Sequence, residues 1–317
     1  MQLTEIPRKS RVLKKVDFGC LRYSFSVNIT RGCSLGCVYC YARGYPDAPA
    51  KDHVLLYSDL PGKTALELDN PRRRIQVRHV TFNTATDCFQ EHPRILEVAY
   101  QTMEVLLHRG VSFSFLTKGY IPESFVQLFA EYPRLVRPAV GLVSIRPEYQ
   151  QMFEPNSAYP HDRLQNISRL NQAGLKVQVR VDPVIPFVTD DQDSADILMA
   201  ALAESGAWRA TLSYLHLRPG ILEQLQNELP ALEFRLLRGC FPVREWTQVG
   251  ACTKSMLVPK HIREKGQARF SAAAERHGLK TIVCGCKNPD MQAGVCNPGV
   301  RKKYREKRAY LFEFDNR

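Results

Sequence analysis

The pattern of apolar and polar positions is clearest between residues 76 and 216. Gln76-Val77-Arg78-His79-Val80-Thr81-Phe82 alternates every second residue, the period of a half-buried strand. From His92 to Arg109 the apolar positions Ile95, Val98, Ala99, Met103, Leu106 and Leu107 recur along one helical face. The same exchange of periods then repeats. Strands are predicted over 111–116, 138–145, 175–181 and 210–215, with helices near 121–131, 161–173 and 191–204. Tyr23-Ser24-Phe25-Ser26-Val27-Asn28-Ile29 adds a first strand. Strands alternating with helices imply right-handed βαβ units and a parallel sheet, an α/β fold.

The flanks read differently. Residues 1–22 are basic and irregular. Residues 44–74 carry Pro46, Pro49, Pro61, Gly62 and Pro71. They read as an excursion with little regular structure beyond a short helix at 64–68. After Pro219 two helical stretches, 221–237 and 259–277, precede a cysteine-rich piece and a charged tail. The expected division is a segment 1–22, a body 23–216 and an extension 217–317.

Candidate chemistry begins at the end of the first strand, in Arg31-Gly32-Cys33-Ser34-Leu35-Gly36-Cys37-Val38-Tyr39-Cys40. Three thiolates at C-x3-C-x2-C spacing can grip three corners of a cubane [4Fe–4S] cluster, leaving its fourth iron open. Gly32 and Gly36 would let the backbone wrap close to the inorganic sulfides. The competing readings are a zinc site or three unrelated core thiols. Zinc sites usually pair two C-x2-C halves, and the chain holds no second C-x2-C.

The loop resembles the signature of the radical S-adenosylmethionine (SAM) enzymes. Cys37-Val38-Tyr39-Cys40-Tyr41-Ala42-Arg43 is similar to its aromatic version in the spore photoproduct lyase-like branch. The resemblance implies that SAM chelates the open iron and that an electron from the cluster cleaves its sulfonium. The resulting adenosyl radical takes hydrogen from substrate, so the cofactor carries the hard chemistry. It also implies a partial (β/α)6 TIM-like barrel, with chemistry at the C-terminal ends of its strands, and a reductant such as ferredoxin or flavodoxin.

Several strand ends carry the resemblance further, over roughly residues 22–216. Phe82-Asn83-Thr84-Ala85-Thr86-Asp87-Cys88-Phe89 looks like the segment that contacts SAM, which assigns Thr86 and Asp87 that role. Leu116-Thr117-Lys118 resembles a Thr-Lys pair, whose ammonium would meet the SAM carboxylate. Ser144 and Arg180 are further candidate SAM contacts. Phe153-Glu154-Pro155-Asn156, Arg163-Leu164 and Asp182-Pro183-Val184 match as segments. Taken singly, Lys118 could be a solvated strand end, and Thr86 or Ser144 a helix cap. The branch has a cysteine after strand two that returns hydrogen to the product; Thr84 stands there in this chain, and its O–H bond is too strong for that task. Cys88 is the substitute candidate, its other reading a small buried hydrophobe. Tyr39 and Tyr41 could pack on SAM or relay a radical.

A second set, Cys284-Gly285-Cys286 with Cys296, has the look of a loop wrapped round a metal. Cys252 or Cys240 could complete an auxiliary [4Fe–4S] cluster or a zinc site; packing thiols are the plainer reading.

Composition bears on partner and compartment. Of the 317 residues, 44 are Lys or Arg and 32 Asp or Glu, a net charge of +12. That excess favours a polyanion such as nucleic acid, although basic proteins also bind anions without purpose. The tail 301–308 could touch phosphates or be a solvated helix face. No apolar run of about 18 residues predicts a membrane span, and the N-terminus lacks a signal-peptide core. Ten cysteines without an export signal point to metal rather than disulfides, and to the cytoplasm. The leading expectation is a radical SAM enzyme acting on nucleic acid or nucleotide, in repair or modification. The alternatives are radical chemistry on a peptide or metabolite, and a non-enzymatic iron–sulfur protein that binds nucleic acid and senses redox state. The strand-end Lys118 and Asp87 count against the sensor, which needs no SAM pocket.

Overall fold

Ser112-Phe113-Ser114-Phe115 and Val179-Arg180-Val181-Asp182 do form strands, with polar residues on one face and apolar residues on the other. The computed structural model describes residues 1–16, 19–21, 24–242, 245–249, 253–291 and 294. Its strands are β1 (Gln2–Ile6), β2 (Lys14–Lys15), β3 (Phe25–Val27), β4 (Thr30–Arg31), β5 (His53–Tyr57), β6 (His79–Phe82), β7 (Ser112–Thr117), β8 (Val136–Gly141), β9 (Gln178–Val184), β10 (Arg209–Tyr214), β11 (His216–Leu217), β12 (Thr247–Val249), β13 (Thr253–Leu257) and β14 (Lys280–Val283). Its helices are α1 (Leu60–Leu68), α2 (Pro93–His108), α3 (Glu123–Glu131), α4 (Pro147–Phe153), α5 (Pro160–Gln172), α6 (Gln192–Glu204), α7 (Pro219–Glu228), α8 (Ala231–Gly239) and α9 (Lys260–Arg276).

One sheet organises the chain. Its order is β14-β10-β9-β8-β7-β6-β3-β2. The six central strands run parallel in sequence order, as the expected partial barrel requires. Register places Ser26 beside Thr81, Thr81 beside Ser114, Gly141 beside Arg180 and Arg180 beside Thr211, so one face is polar across the sheet. The opposite face is apolar and lies under the helices. There Phe113 and Phe115 meet Phe129 of α3 at 5.8 and 5.6 Å between ring centroids.

The expectations for 1–22 and 44–74 need correction, as does the single helix expected at 221–237, which divides into α7 and α8. Residues 1–22 are not irregular: β1 pairs with β5 in parallel, and β2 pairs with β3. The excursion 44–74 contains β5 and the nine-residue α1, with Pro61 in the first turn, where a helix needs no amide donor. The extension after 217 returns to the body: β14 pairs with β10 in parallel and α9 lies on α6.

Candidate active site

The loop of Cys33, Cys37 and Cys40 follows β3 and β4, and its backbone is held from several sides. Gln90 accepts from the Ser34 amide at 2.7 Å and donates to Thr30 Oγ1 and the Asp87 carbonyl. Asn156 donates to the Ser34 carbonyl at 3.0 Å, and the Val38 amide donates to the Phe153 carbonyl. Gln224 of α7 donates to the Cys40 carbonyl. The glycines of the loop also meet protein closely. Both have positive φ, and a Cβ on Gly32 would lie 2.6 Å from the His53 carbonyl oxygen, one on Gly36 3.1 Å from Asn156 Nδ2. They allow close packing against protein. Burial pushes the Cys37 thiol up to about 12, so metal binding there must release its proton to solvent.

The strand-end residues gather around this loop. Asp87 is buried and accepts from the Lys118 amide, the Phe89 amide and Thr117 Oγ1 at 2.7–2.9 Å. It ties the ends of β6 and β7 together. The Lys118 side chain crosses Gly141, and its ammonium lies 5.6 Å over the Tyr39 ring. Among the described residues no carboxylate pairs with it within 4 Å. Burial acts to lower its pKa, but the negative fields of Glu154 and Cys37 turn the net shift upward, so it is charged. Thr86 Oγ1 and Asn83 Nδ2 are buried with no hydrogen-bond partner among the described residues. An ammonium without an ion-pair partner over the ring of Tyr39 in the three-thiol loop, with unsatisfied polar atoms at the end of β6, fits a zwitterion such as SAM. Ser144 accepts from the Arg146 amide at 3.1 Å, in the turn that leads into α4.

Arg180 lies apart from Lys118 in its pairing. It donates to Asp182 at 2.7 Å, and Lys287 donates to both oxygens of the same carboxylate at 2.6 and 2.8 Å. Burial raises the Asp182 pKa, but the two cations, Lys287 foremost, hold it down at about 2. A depressed carboxylate contributes stability above its unfolded pKa of about 3.9 and loses it as pH falls through the folded value. Lys287→Met is therefore expected to destabilise the metal-free chain at neutral pH in urea titrations. That difference should shrink as pH falls from about 4 through about 2. A difference independent of pH would disprove the ion pair's contribution.

The proposed hydrogen donors separate clearly. Cys88 is fully buried in the hydrophobic core, the placement its other reading as a small buried hydrophobe describes. The Tyr39 hydroxyl donates to Glu154, which pairs with Arg163 at 2.5 Å, both carboxylate and guanidinium out of water. Its proton is committed to that buried carboxylate. Tyr41, by contrast, is 39% exposed and donates to the carbonyl of Thr84. Arg218 lies 5.0 Å over its ring, and Tyr45 packs edge-on at 5.9 Å. His216 was not singled out from the sequence. Burial first, then Lys287, lowers its pKa to about 3, so it is neutral, and its buried Nε2 has no partner among the described residues.

The second cysteine set assembles with a different member. Cys284 and Cys286 meet Cys20, which sequence spacing did not reveal. Cys252 and Cys296 lie outside the described residues. Cys240 is on the α8 terminus, its thiol donating to the Leu236 carbonyl. Among the described residues, the three potential ligands whose atoms all lie within 4.8 Å of one another are those of Cys20, Cys284 and Cys286. The sulfurs of Cys33, Cys37 and Cys40 do not meet that spacing.

Comparison with known proteins bears on family and fold. Uncharacterized proteins of Mycobacterium tuberculosis and Mycobacterium bovis are each 30% identical over 223 residues, covering 68% of this chain. The match spans 65% of their own length. An uncharacterized protein of Acidianus two-tailed virus is 23% identical over 217 residues, 65% of this chain and 71% of its own. Among solved structures, spore photoproduct lyase complexed with a dinucleoside spore photoproduct shares the fold, with a TM-score of 0.65 at 14% identity. That match covers 89% of this chain and 81% of the lyase. A radical SAM methyltransferase from Sphaerobacter thermophilus superimposes with a TM-score of 0.51 at 16% identity, covering 82% of this chain and 66% of its own. The family model described as the radical SAM superfamily matches residues 27–198, from the first central strand to α6, and the chain belongs to that superfamily.

Proposed function

We propose that this radical SAM enzyme acts on a nucleic acid or nucleotide presented at the edge formed by Tyr41, Tyr45 and Arg218. Cys33, Cys37 and Cys40 would hold the [4Fe–4S] cluster that the family implies, and Lys118, Thr86 and Asn83 would receive SAM. Held there, the cluster supplies the electron that cleaves SAM and starts hydrogen abstraction. Asp87 keeps the Lys118 backbone in place from below, and Ser144 shapes the entry to α4. Tyr41, rather than Cys88, is the candidate group for passing hydrogen to or from substrate.

The observation that carries the substrate reading is the aromatic and cationic edge beside Cys40. Two partly exposed tyrosines, one under a guanidinium, offer stacking faces for bases next to a positive charge. A net charge of +12 supports attraction of a polyanion. The lyase that shares the fold is described with a dinucleoside bound. The neutral His216, with a vacant ring nitrogen near Lys287 and Asp182, is a candidate contact to a polar substrate group.

Fluorescence anisotropy with mixed single-stranded DNA and RNA oligonucleotides tests this. Affinity should fall as salt rises, and Tyr45→Ala or Arg218→Ala should weaken it at constant salt, by up to about 1–3 kcal/mol for a stacked base. Absence of salt-sensitive binding at low ionic strength would overturn the nucleic-acid reading.

A further inference from the structure

The thiols of Cys20, Cys284 and Cys286 come from opposite margins of the main sheet. Cys20 lies in the connection between β2 and β3, at one end of the strand order, and Cys284 and Cys286 directly follow β14, at the other end. The sulfur of Cys286 is 3.4 Å from that of Cys20 and 3.0 Å from that of Cys284. The backbones are shaped for the meeting. Gly19 has φ +52°, and a Cβ there would sit 3.2 Å from the Cys286 Cβ and 3.4 Å from its sulfur. The Cys284 amide donates to the Leu212 carbonyl of β10. Its carbonyl accepts from the Lys287 and Asn288 amides and from the Asn288 side chain.

We infer that these three cysteines form a binding site for a single tetrahedral divalent cation, zinc by preference. The site joins the two margins of the sheet, and it is not a second iron–sulfur cluster. The sulfur spacing decides between the two. Metal–sulfur bonds of about 2.3 Å at tetrahedral angles place sulfurs about 3.8 Å apart. Three sulfurs within 4.8 Å of one another need only small adjustments to reach that geometry. A cubane distributes its cysteines over separate irons and holds them wider. On binding, each thiol releases its proton to solvent as its sulfur–metal bond forms, with no change of oxidation state. A water or a further protein ligand completes the fourth position.

The site has a consequence for the active face. The turn it anchors, Cys284–Asn288, carries Lys287, and Lys287 is the residue that reaches Asp182 on β9. The metal therefore positions a charged group of the substrate face from a point outside the family match.

Metal analysis of the full chain, purified anaerobically with its cluster, tests the proposal. Zinc should be about one per chain, beside the about four irons of a cubane. Cys20→Ser and the pair Cys284→Ser with Cys286→Ser should each lower zinc by tenfold or more while iron stays unchanged. Zinc unchanged in both variants, or iron falling from about eight to about four, would overturn the assignment. Should the variants fail to fold, cobalt loading of the wild type decides. Intense thiolate-to-cobalt charge transfer with tetrahedral d–d bands supports the site, and their absence overturns it. Failure of the cluster at Cys33, Cys37 and Cys40 would instead appear as missing iron, leaving the zinc readout intact.

Discussion

Arg163→Met is expected to destabilise the protein by about 3–5 kcal/mol, the cost of stranding one member of a buried ion pair. The Arg163 guanidinium is 1% exposed and the Glu154 carboxylate 0%. Arg163 donates to Glu154 at 2.5 Å, to the Gly141 and Ala158 carbonyls at 2.9 and 2.8 Å, and to Ser157 Oγ. Methionine keeps much of the volume and supplies none of these donors. Among the described residues, Glu154 would keep only the Tyr39 hydroxyl as a side-chain donor. The loss should spread to the cysteine loop, because Tyr39 lies between Cys37 and Cys40. Urea unfolding should show a lower midpoint at unchanged slope, and reconstituted iron should drop with it. Replacing both partners, Arg163→Met with Glu154→Leu, should recover much of the stability, since no charge is then left unpaired. A single variant within about 1 kcal/mol of wild type would show the pair to be dispensable.

Lys118→Met should do the reverse, sparing the fold while removing cofactor binding. Its ammonium makes no ion pair with a carboxylate among the described residues, and Glu154, whose field it feels, keeps Arg163, so its removal costs far less than that of Arg163. A charge-assisted hydrogen bond to a carboxylate is worth about 1.5–3 kcal/mol, which corresponds to SAM binding weakened by about 10- to 150-fold. Reductive formation of 5′-deoxyadenosine by the anaerobic enzyme should fall at least as far. Unfolding should shift little. Wild-type SAM affinity in this variant would remove Lys118 from the cofactor site.

Much of the organisation was legible because its signals are local. The alternation in Ser112–Phe115 and the one-sided periods of α2, α6 and α9 lie within single elements, and their limits match to within a residue or two. The cysteine loop is a ten-residue motif. What escaped depends on distant partners. His53-Val54-Leu55-Leu56-Tyr57 is strand-like, but its partners are Gln2–Ile6, and the surrounding prolines and glycines obscured it. Pro61 read as a breaker although it opens α1. The helical stretch expected over 221–237 contains Pro230, and the chain divides there into α7 and α8. The run Leu142-Val143-Ser144 continues the apolar pattern past the end of β8. Glu154 and Arg163 were matched as segments without a role, because only burial shows that they need each other. Cys20 stands 266 residues from Cys286, and no spacing rule spans such a gap.

The pairing of β14 with β10 bears on how the protein could be dissected. All six residues of β10 are buried. A fragment ending near 216, at the close of the six-strand body, would leave the backbone donors and acceptors of that strand open along a raw margin. Such a margin invites another chain to add to it, so the fragment would aggregate instead of working as a transplantable catalytic module. Lys280–Val283 is thus a cover for the sheet's hydrogen-bonding capacity, and evolution or an engineer can change the residues around β14 only while leaving that cover in place.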